Sequence, residues 1–275
     1  MRIRVVDAFT DRPFAGNPAG VCLLEGEDWP DETWMREVAA EMNLSETAFA
    51  RPLTADPDAD WALRWFTPAI ETHLCGHATL ATTHAMQADG LVDGRVRFKT
   101  LSGVLTAEVA GDGMITLDFP AAELTEIAVP DGLAEALGAT PIAAHSTGAL
   151  RDLLVVMPDE KSVRGLDPDL RAISQLAGRE DGRGVIVTAA AEQHADYDFV
   201  SRFFAPAAGI GEDPVTGSAH TALAPYWVSK LGGDSLVGYQ ASQRGGLVRT
   251  ELAGDRVKLT GRAVVVLDAT LFSGP

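Results

Sequence analysis

The sequence predicts an α+β protein built as two similar lobes, each a curled, mostly antiparallel sheet around one main helix. Three observations carry this prediction. Short strand-like runs dominate, and they do not alternate strictly with long helices, as a doubly wound parallel sheet requires. An internal repeat spans the chain: Arg64-Trp-Phe-Thr-Pro-Ala69 corresponds to Arg202-Phe-Phe-Ala-Pro-Ala207, and Gly76-His-Ala-Thr-Leu-Ala81 to Gly217-Ser-Ala-His-Thr-Ala-Leu-Ala224, in the same order. The composition is that of a globular chain, with 275 residues, 46% hydrophobic and 22% charged. That length supports a sizeable core shared between two domains.

The elements follow in chain order. Arg2–Phe9 alternates apolar Ile3 and Val5 with Arg2 and Arg4, which suits a half-buried strand. Val21–Leu24 follows the turn-rich Ala15-Gly-Asn-Pro-Ala-Gly20. Asp31–Met42 reads as a helix, with Asp31 as its cap and Trp34, Val38 and Met42 on one face. Leu44–Ala50 and Trp61–Phe66 read as strands. His77–Ala88 is a helix with Gly90 beyond its end. Val96–Thr100, Val104–Val109 and Met114–Phe119 form a meander, with Ala110-Gly-Asp-Gly113 as a turn.

In the second half, Leu133–Leu137 and Leu170–Leu176 are modest helices, and Leu153–Met157, Val185–Thr188 and Phe199–Phe204 are strands. Ser218–Lys230 is the longest helix expected there, stopped by Gly232-Gly233. Leu247–Leu252, Val257–Thr260 and Ala263–Leu267 close the chain as strands. The expected division is residues 1–119 with 262–275 in one lobe and 120–261 in the other.

Charge and cysteine content narrow the partners. The formal charge is −17. Such a surface repels phosphate backbones, and the sequence has no basic patch, so no nucleic-acid partner is expected. No apolar run reaches the length of a membrane span, so no membrane partner is expected either. Met1–Asp7 has no apolar leader character. With two cysteines, Cys22 and Cys75, there is no disulfide framework, and a cytoplasmic location is expected.

In each copy of the repeat a strand ends, a loop follows, and a helix starts at small residues. Helix starts carry unpaired N–H groups and partial positive charge, and small residues let a ligand approach that backbone. Two such starts, at Gly76 and Gly217, suit an anionic group such as a substrate carboxylate. Tight helix–sheet packing would also favour glycine and alanine, but the pairing of the two copies favours a ligand site. Gly209-Ile-Gly-Glu-Asp-Pro-Val-Thr-Gly217 is neither a Walker A loop nor a Rossmann fingerprint, since no Lys follows and Pro214 stands where glycine or alanine is needed. Glu212 reads as a helix cap. Thr216-Gly-Ser-Ala-His220 lacks the second glycine of a nucleophile elbow, and His220 lies off the Ser218 side of the helix. His73-Leu-Cys75-Gly-His77 has no partner group at zinc-like spacing, so no metal is expected. Cys75 reads equally as a small buried residue or a site residue. Glu46 is unremarkable from pattern alone.

Taken together, Asn43-Leu-Ser-Glu-Thr47, Cys75-Gly-His-Ala-Thr79 and Gly211-Glu-Asp-Pro-Val-Thr-Gly-Ser-Ala219, with Asp7-Ala-Phe-Thr10 and Gly16-Asn-Pro-Ala-Gly20, resemble the phenazine-biosynthesis PhzF-like family. The resemblance runs over nearly the whole chain. It implies the diaminopimelate epimerase-like fold, with the site in the cleft between two lobes. It implies a cofactor-independent isomerase in which Glu46, in an apolar pocket, is the general acid/base for proton transfer between carbons of a small carboxylated substrate. By the same resemblance His77 and Asp213 act with it, and Gly76, Gly217, Ser218 and Cys75 hold the substrate. A homodimer is likewise implied. A silent binding protein of the same fold and a Cys-dependent racemase or epimerase are the alternatives. The two-thiol form is disfavoured because the second loop offers Asp213-Pro214 and no Cys.

Overall fold

The computed structural model describes residues 1–26, 28–177 and 182–274. Positions 27, 178–181 and 275, which fall within the expected lobes, lie outside the described residues. The chain divides into two units, Met1–Asp118 with Thr260–Pro275, and Phe119–Leu259.

The first unit contains β1 (Arg2–Ala8), β2 (Asn17–Leu23), α1 (Glu32–Met42), β3 (Glu46–Pro52), β4 (Trp61–Phe66), β5 (Glu71–Thr72), α2 (Gly76–Ala88), β6 (Arg95–Thr100), β7 (Gly103–Val109) and β8 (Ile115–Pro120). The second continues with β9 (Thr125–Ile127), α3 (Leu133–Leu137), β10 (Ala143–Ser146), β11 (Asp152–Val156), α4 (Glu160–Arg164), α5 (Leu170–Ala177), β12 (Gly184–Ala190), β13 (Phe199–Ala205), β14 (Ile210–Asp213), α6 (Gly217–Leu231), β15 (Ser235–Gln240), β16 (Gly246–Ala253) and β17 (Arg256–Gly261). Finally β18 (Ala263–Thr270) pairs antiparallel with β1 and completes the first unit.

The two units repeat one pairing scheme. In the first, β1–β2 is antiparallel, β2–β3 parallel, β3–β4 and β4–β5 antiparallel, β4–β6 parallel and β6–β7 antiparallel. In the second, β10–β11 is antiparallel, β11–β12 parallel, β12–β13 and β13–β14 antiparallel, β13–β15 parallel and β15–β16 antiparallel. The repeated arginines do the same work in each. Arg64 grips Glu71 through Nε (2.7 Å) and Nη2 (2.6 Å), and Arg202 grips Glu212 at 2.7 and 2.9 Å. Each guanidinium also lies over the phenylalanine two residues on, Phe66 or Phe204. Glu212 is therefore an arginine partner that ties β14 to β13, not the helix cap expected. Thr216, the residue before α6, makes no side-chain capping bond.

The main helices differ from the surface helix α1, which shows one buried stripe of Met35, Val38 and Ala39. Asp31 caps α1 by accepting from Thr33 N at 2.8 Å. By contrast, α2 is buried on nearly every side, from Gly76 through Thr83 and again at Ala85 and Met86. Buried threonine hydroxyls must find acceptors. Thr79, Thr82 and Thr83 donate to the carbonyls of Cys75, Ala78 and Thr79, four residues back, at 2.6, 2.7 and 2.9 Å. Helix α6 is also largely buried, and Pro225 interrupts its ladder. The proline leaves the Thr221 carbonyl without its helical donor. Ala122 N–H supplies that bond at 3.0 Å.

Five strands, β5, β9, β10, β14 and β15, and the short helix α4 are not anticipated by the sequence. β14 lies inside a stretch read as glycine-rich loop, and its pairing with β13 is short and irregular. β15 carries Gly238 at its centre, a weak strand former. A Cβ there would sit 2.5 Å from the Phe199 ring and 2.9 Å from His220 Nε2, so the glycine makes room for α6 against the sheet.

Candidate functional site

Asn43 ends α1 in the left-handed conformation, φ 51°, with its N–H bonded to the Ala39 carbonyl at 3.1 Å. Asparagine tolerates that backbone better than most residues. The chain then turns directly into β3, whose first residue is Glu46, paired beside Ala19 of β2. Glu46 is only 9% exposed. Cys75 stands just before α2, and His77 is the second residue of that helix.

These three side chains converge in the first unit. His77 Nε2 lies 3.4 Å from Glu46 Oε2, and His77 Nδ1 lies 3.5 Å from Cys75 Sγ. Burial holds the His77 pKa down to about 3, so the ring is neutral at physiological pH. The His77–Glu46 contact is accordingly not an ion pair, and His77 Nε2 has no hydrogen-bond partner among the described residues. Glu46, Cys75 and His77 each present one possible ligand atom within 4.8 Å of the others. Sequence spacing showed only the Cys75–His77 pair, because Glu46 arrives from another strand.

Asp213 and Ser218 belong to the second unit. Asp213 closes β14 and accepts from the Thr216 hydroxyl. Gln240, at the end of β15, braces this corner: it donates to the Asp213 carbonyl at 2.7 Å and to Thr216 Oγ1 at 3.1 Å, and accepts from Thr216 N at 2.8 Å. Gly217 and Ser218 open α6. Ser218 Oγ accepts from Arg183 Nη2 at 2.9 Å. Arg183 also forks onto Asp152, with Nε 3.0 Å from Oδ1 and Nη2 against Oδ2. Burial pushes the Asp152 carboxyl up, against the opposing pull of Arg183. Asp152, Arg183 and Gln240 were not selected from the sequence. Their signal is spatial, since Asp152 begins β11 and Arg183 immediately precedes the neighbouring parallel strand β12.

His220 is fully buried in α6, with Nδ1 2.8 Å from the Thr216 carbonyl, and burial lowers its pKa to about 4. His77 and His220 thus refuse protons that the unfolded chain accepts below its ordinary value of 6.5. Stability falls as pH drops from 6.5 towards 4, by at most about 1.4 kcal/mol per pH unit for each ring. Urea midpoints at pH 6.5 and 4.5 should therefore differ less in His77→Gln than in wild type. An unchanged difference would contradict a buried neutral His77.

The family described as "Phenazine biosynthesis-like protein" matches residues 6–269. The chain belongs to the phenazine biosynthesis-like family. A family relative named an uncharacterized isomerase, from Halalkalibacterium halodurans, is 45% identical over 274 residues, covering 98% of each chain. A solved structure of a PhzF family phenazine biosynthesis protein from Enterococcus faecalis superposes with TM-score 0.88 at 40% identity, covering 98% of this chain and 99% of that one. A hydroxyproline epimerase from Agrobacterium vitis, solved with bound trans-4-hydroxy-L-proline, shares the fold at TM-score 0.63 and 13% identity, over 98% and 91% of the two chains. The α+β, epimerase-like architecture expected for the phenazine biosynthesis-like family is the one observed. No described helix is long and apolar enough to cross a membrane.

Proposed function

We propose that this isomerase of the phenazine biosynthesis-like family moves a proton between carbon atoms of a small carboxylated molecule, with Glu46 as general acid and base. The observation that carries the reading is the buried contact of Glu46 with a neutral His77. Glu46 takes a proton from a substrate C–H bond, and the bonding pair moves into the substrate's conjugated system. The carboxylic acid then returns the proton to a second carbon, which restores the starting enzyme. A neutral imidazole serves both halves of this cycle. With the 3.4 Å gap closed to hydrogen-bond distance, it can donate from Nε2 to the carboxylate in one tautomer and accept from the carboxylic acid in the other. A protonated imidazole would instead fix Glu46 as a permanent anion and weaken it as a base.

The family resemblance extends the proposal to Asp213 as a further acid–base group and to Gly76, Gly217 and Ser218 as substrate-binding residues, with helix-start N–H groups meeting negative charge. No cofactor is needed for a proton transfer of this kind, and the family resemblance adds a homodimer to the proposal. The test is incubation in D2O with trans-4-hydroxy-L-proline, L-proline, 2-aminobenzoate and partly reduced cyclic carboxylates. Mass spectrometry should find deuterium on carbon in a partly reduced cyclic carboxylate, whereas exchange confined to the prolines would point to the racemase reading. A panel without any carbon exchange would overturn the reading.

A second reading has one observation in its favour, the approach of Cys75 Sγ to His77. It would make Cys75 the base of a racemase. The chain's other thiol, Cys22, is buried among Met35, Phe49 and Phe66, and burial pushes its pKa up to about 12, so it cannot serve as the second thiol. Cys75→Ser is expected to keep exchange within about threefold of wild type. A loss of 100-fold or more would favour the racemase.

A further inference from the structure

We propose that Arg183 is a positioning residue that makes the Ser218 hydroxyl a dedicated donor to an acceptor oxygen of the ligand, selecting a carboxylate over a neutral amide. The inference rests on the preceding reading that the substrate is carboxylated and meets the start of α6.

A serine hydroxyl has one proton and two lone pairs, and by itself it can donate or accept. Here Arg183 Nη2 donates into Ser218 Oγ at 2.9 Å. A guanidinium has no acceptor, so the serine proton cannot be returned to it. Among the described residues no protein acceptor takes that proton, and the Ser218 side chain remains partly exposed. The hydroxyl therefore presents hydrogen outward, backed by a positive charge.

Arg183 cannot easily swing away. Its fork is fixed on the Asp152 carboxylate, whose side chain is 0% exposed. Its guanidinium lies 5.1 Å from the Phe203 ring centroid. Asp152 is pinned in turn by Thr147: the Thr147 hydroxyl donates to the Asp152 carbonyl at 2.7 Å and accepts from its N–H at 2.9 Å. Lysine could not satisfy Asp152 and Ser218 in this planar fashion. A plain structural ion pair between β11 and β12 would not require a third partner on the helix start. The third partner gives the pair a use at the site.

The test is a double-mutant cycle of Arg183→Met and Ser218→Ala, read by calorimetry with 2-aminobenzoate and L-proline against 2-aminobenzamide and L-prolinamide. Wild type is expected to bind a carboxylate at least tenfold tighter than its amide. R183M should lower that ratio about tenfold, the scale of one hydrogen bond to a charged group. In the S218A background R183M should change the ratio less than twofold. An equal effect of R183M with and without Ser218 would overturn the proposal, as would a wild type without carboxylate preference. If R183M does not fold, S218A alone must lower the ratio, and an unchanged ratio would overturn the proposal. Glu46→Gln separates the two readings, because it should bind both ligands like wild type while losing carbon exchange. Lost exchange in E46Q with a flat Arg183 cycle would remove this inference and leave Glu46 in place.

Discussion

Glu46→Gln is expected to lower carbon–hydrogen exchange by about 10³-fold or more while ligand affinity stays within threefold, because general acid–base catalysis is worth about 10²–10⁴-fold and Glu46 is here both acid and base. Glutamine preserves the shape of the side chain and its acceptor towards His77 Nε2, 3.4 Å from Glu46 Oε2 in the native protein. What it loses is the ability to carry a proton. The effect should fall on kcat rather than on binding, as it does when an interaction is made only in the transition state. Glu46→Asp keeps the chemistry but withdraws the carboxyl by one methylene, and an intermediate loss is expected. Single-turnover rates and calorimetric affinities check both variants. A glutamine variant with native exchange would remove Glu46 from the chemistry.

The second large effect is one of stability. Gly16 precedes β2, in the left-handed conformation with φ +65°. A Cβ there would lie 2.1 Å from the Ala8 carbonyl oxygen, a backbone atom that cannot rotate aside. Gly16→Ala combines a left-handed backbone penalty with overpacking, and should cost about 2–5 kcal/mol. Gly90 has a similar φ, +70°, but open space where its Cβ would stand. Gly90→Ala should cost only the backbone penalty, about 1–2 kcal/mol. Urea unfolding of the two variants checks the contrast, and equal losses would contradict it. The damage at Gly16 should reach the site, since the register Ala8–Asn17 leads along β2 to Ala19, which pairs with Glu46.

Much of the fold was legible because its signals are local. Asp31 and the spacing of Val38 mark α1, and Gly232 ends α6 as expected. The repeat was legible because Arg64 and Arg202 answer to the same constraint, a bidentate glutamate and a phenylalanine face. Burial of α2 was not legible from periodicity, since its threonines look polar until their hydroxyls turn back on the helix. β14 and β15 were hidden by glycines whose reasons lie elsewhere in the chain, as Gly238 against Phe199 shows.

The candidate site divides in the same way. Cys75 and His77 sit two residues apart, so their pairing could be suspected from sequence. Glu46 could not be chosen from its neighbours, and only the motif resemblance singled it out. Its approach to His77 depends on β3 lying beside β2 with α2 packed against both. Arg183 carried no signal at all, because its meaning comes from Asp152, 31 residues earlier, and Ser218, 35 residues later.

The most direct check of proton handling at Glu46 is isotope transfer within a single turnover. A ligand labelled with deuterium at the donating carbon is mixed with excess enzyme in H2O, and the product is read by mass spectrometry. If one sheltered carboxyl collects and redelivers the proton, part of the label will appear at the new carbon in wild type, and E46Q will yield no product on that timescale. Product formed by E46Q at the wild-type rate would contradict the account.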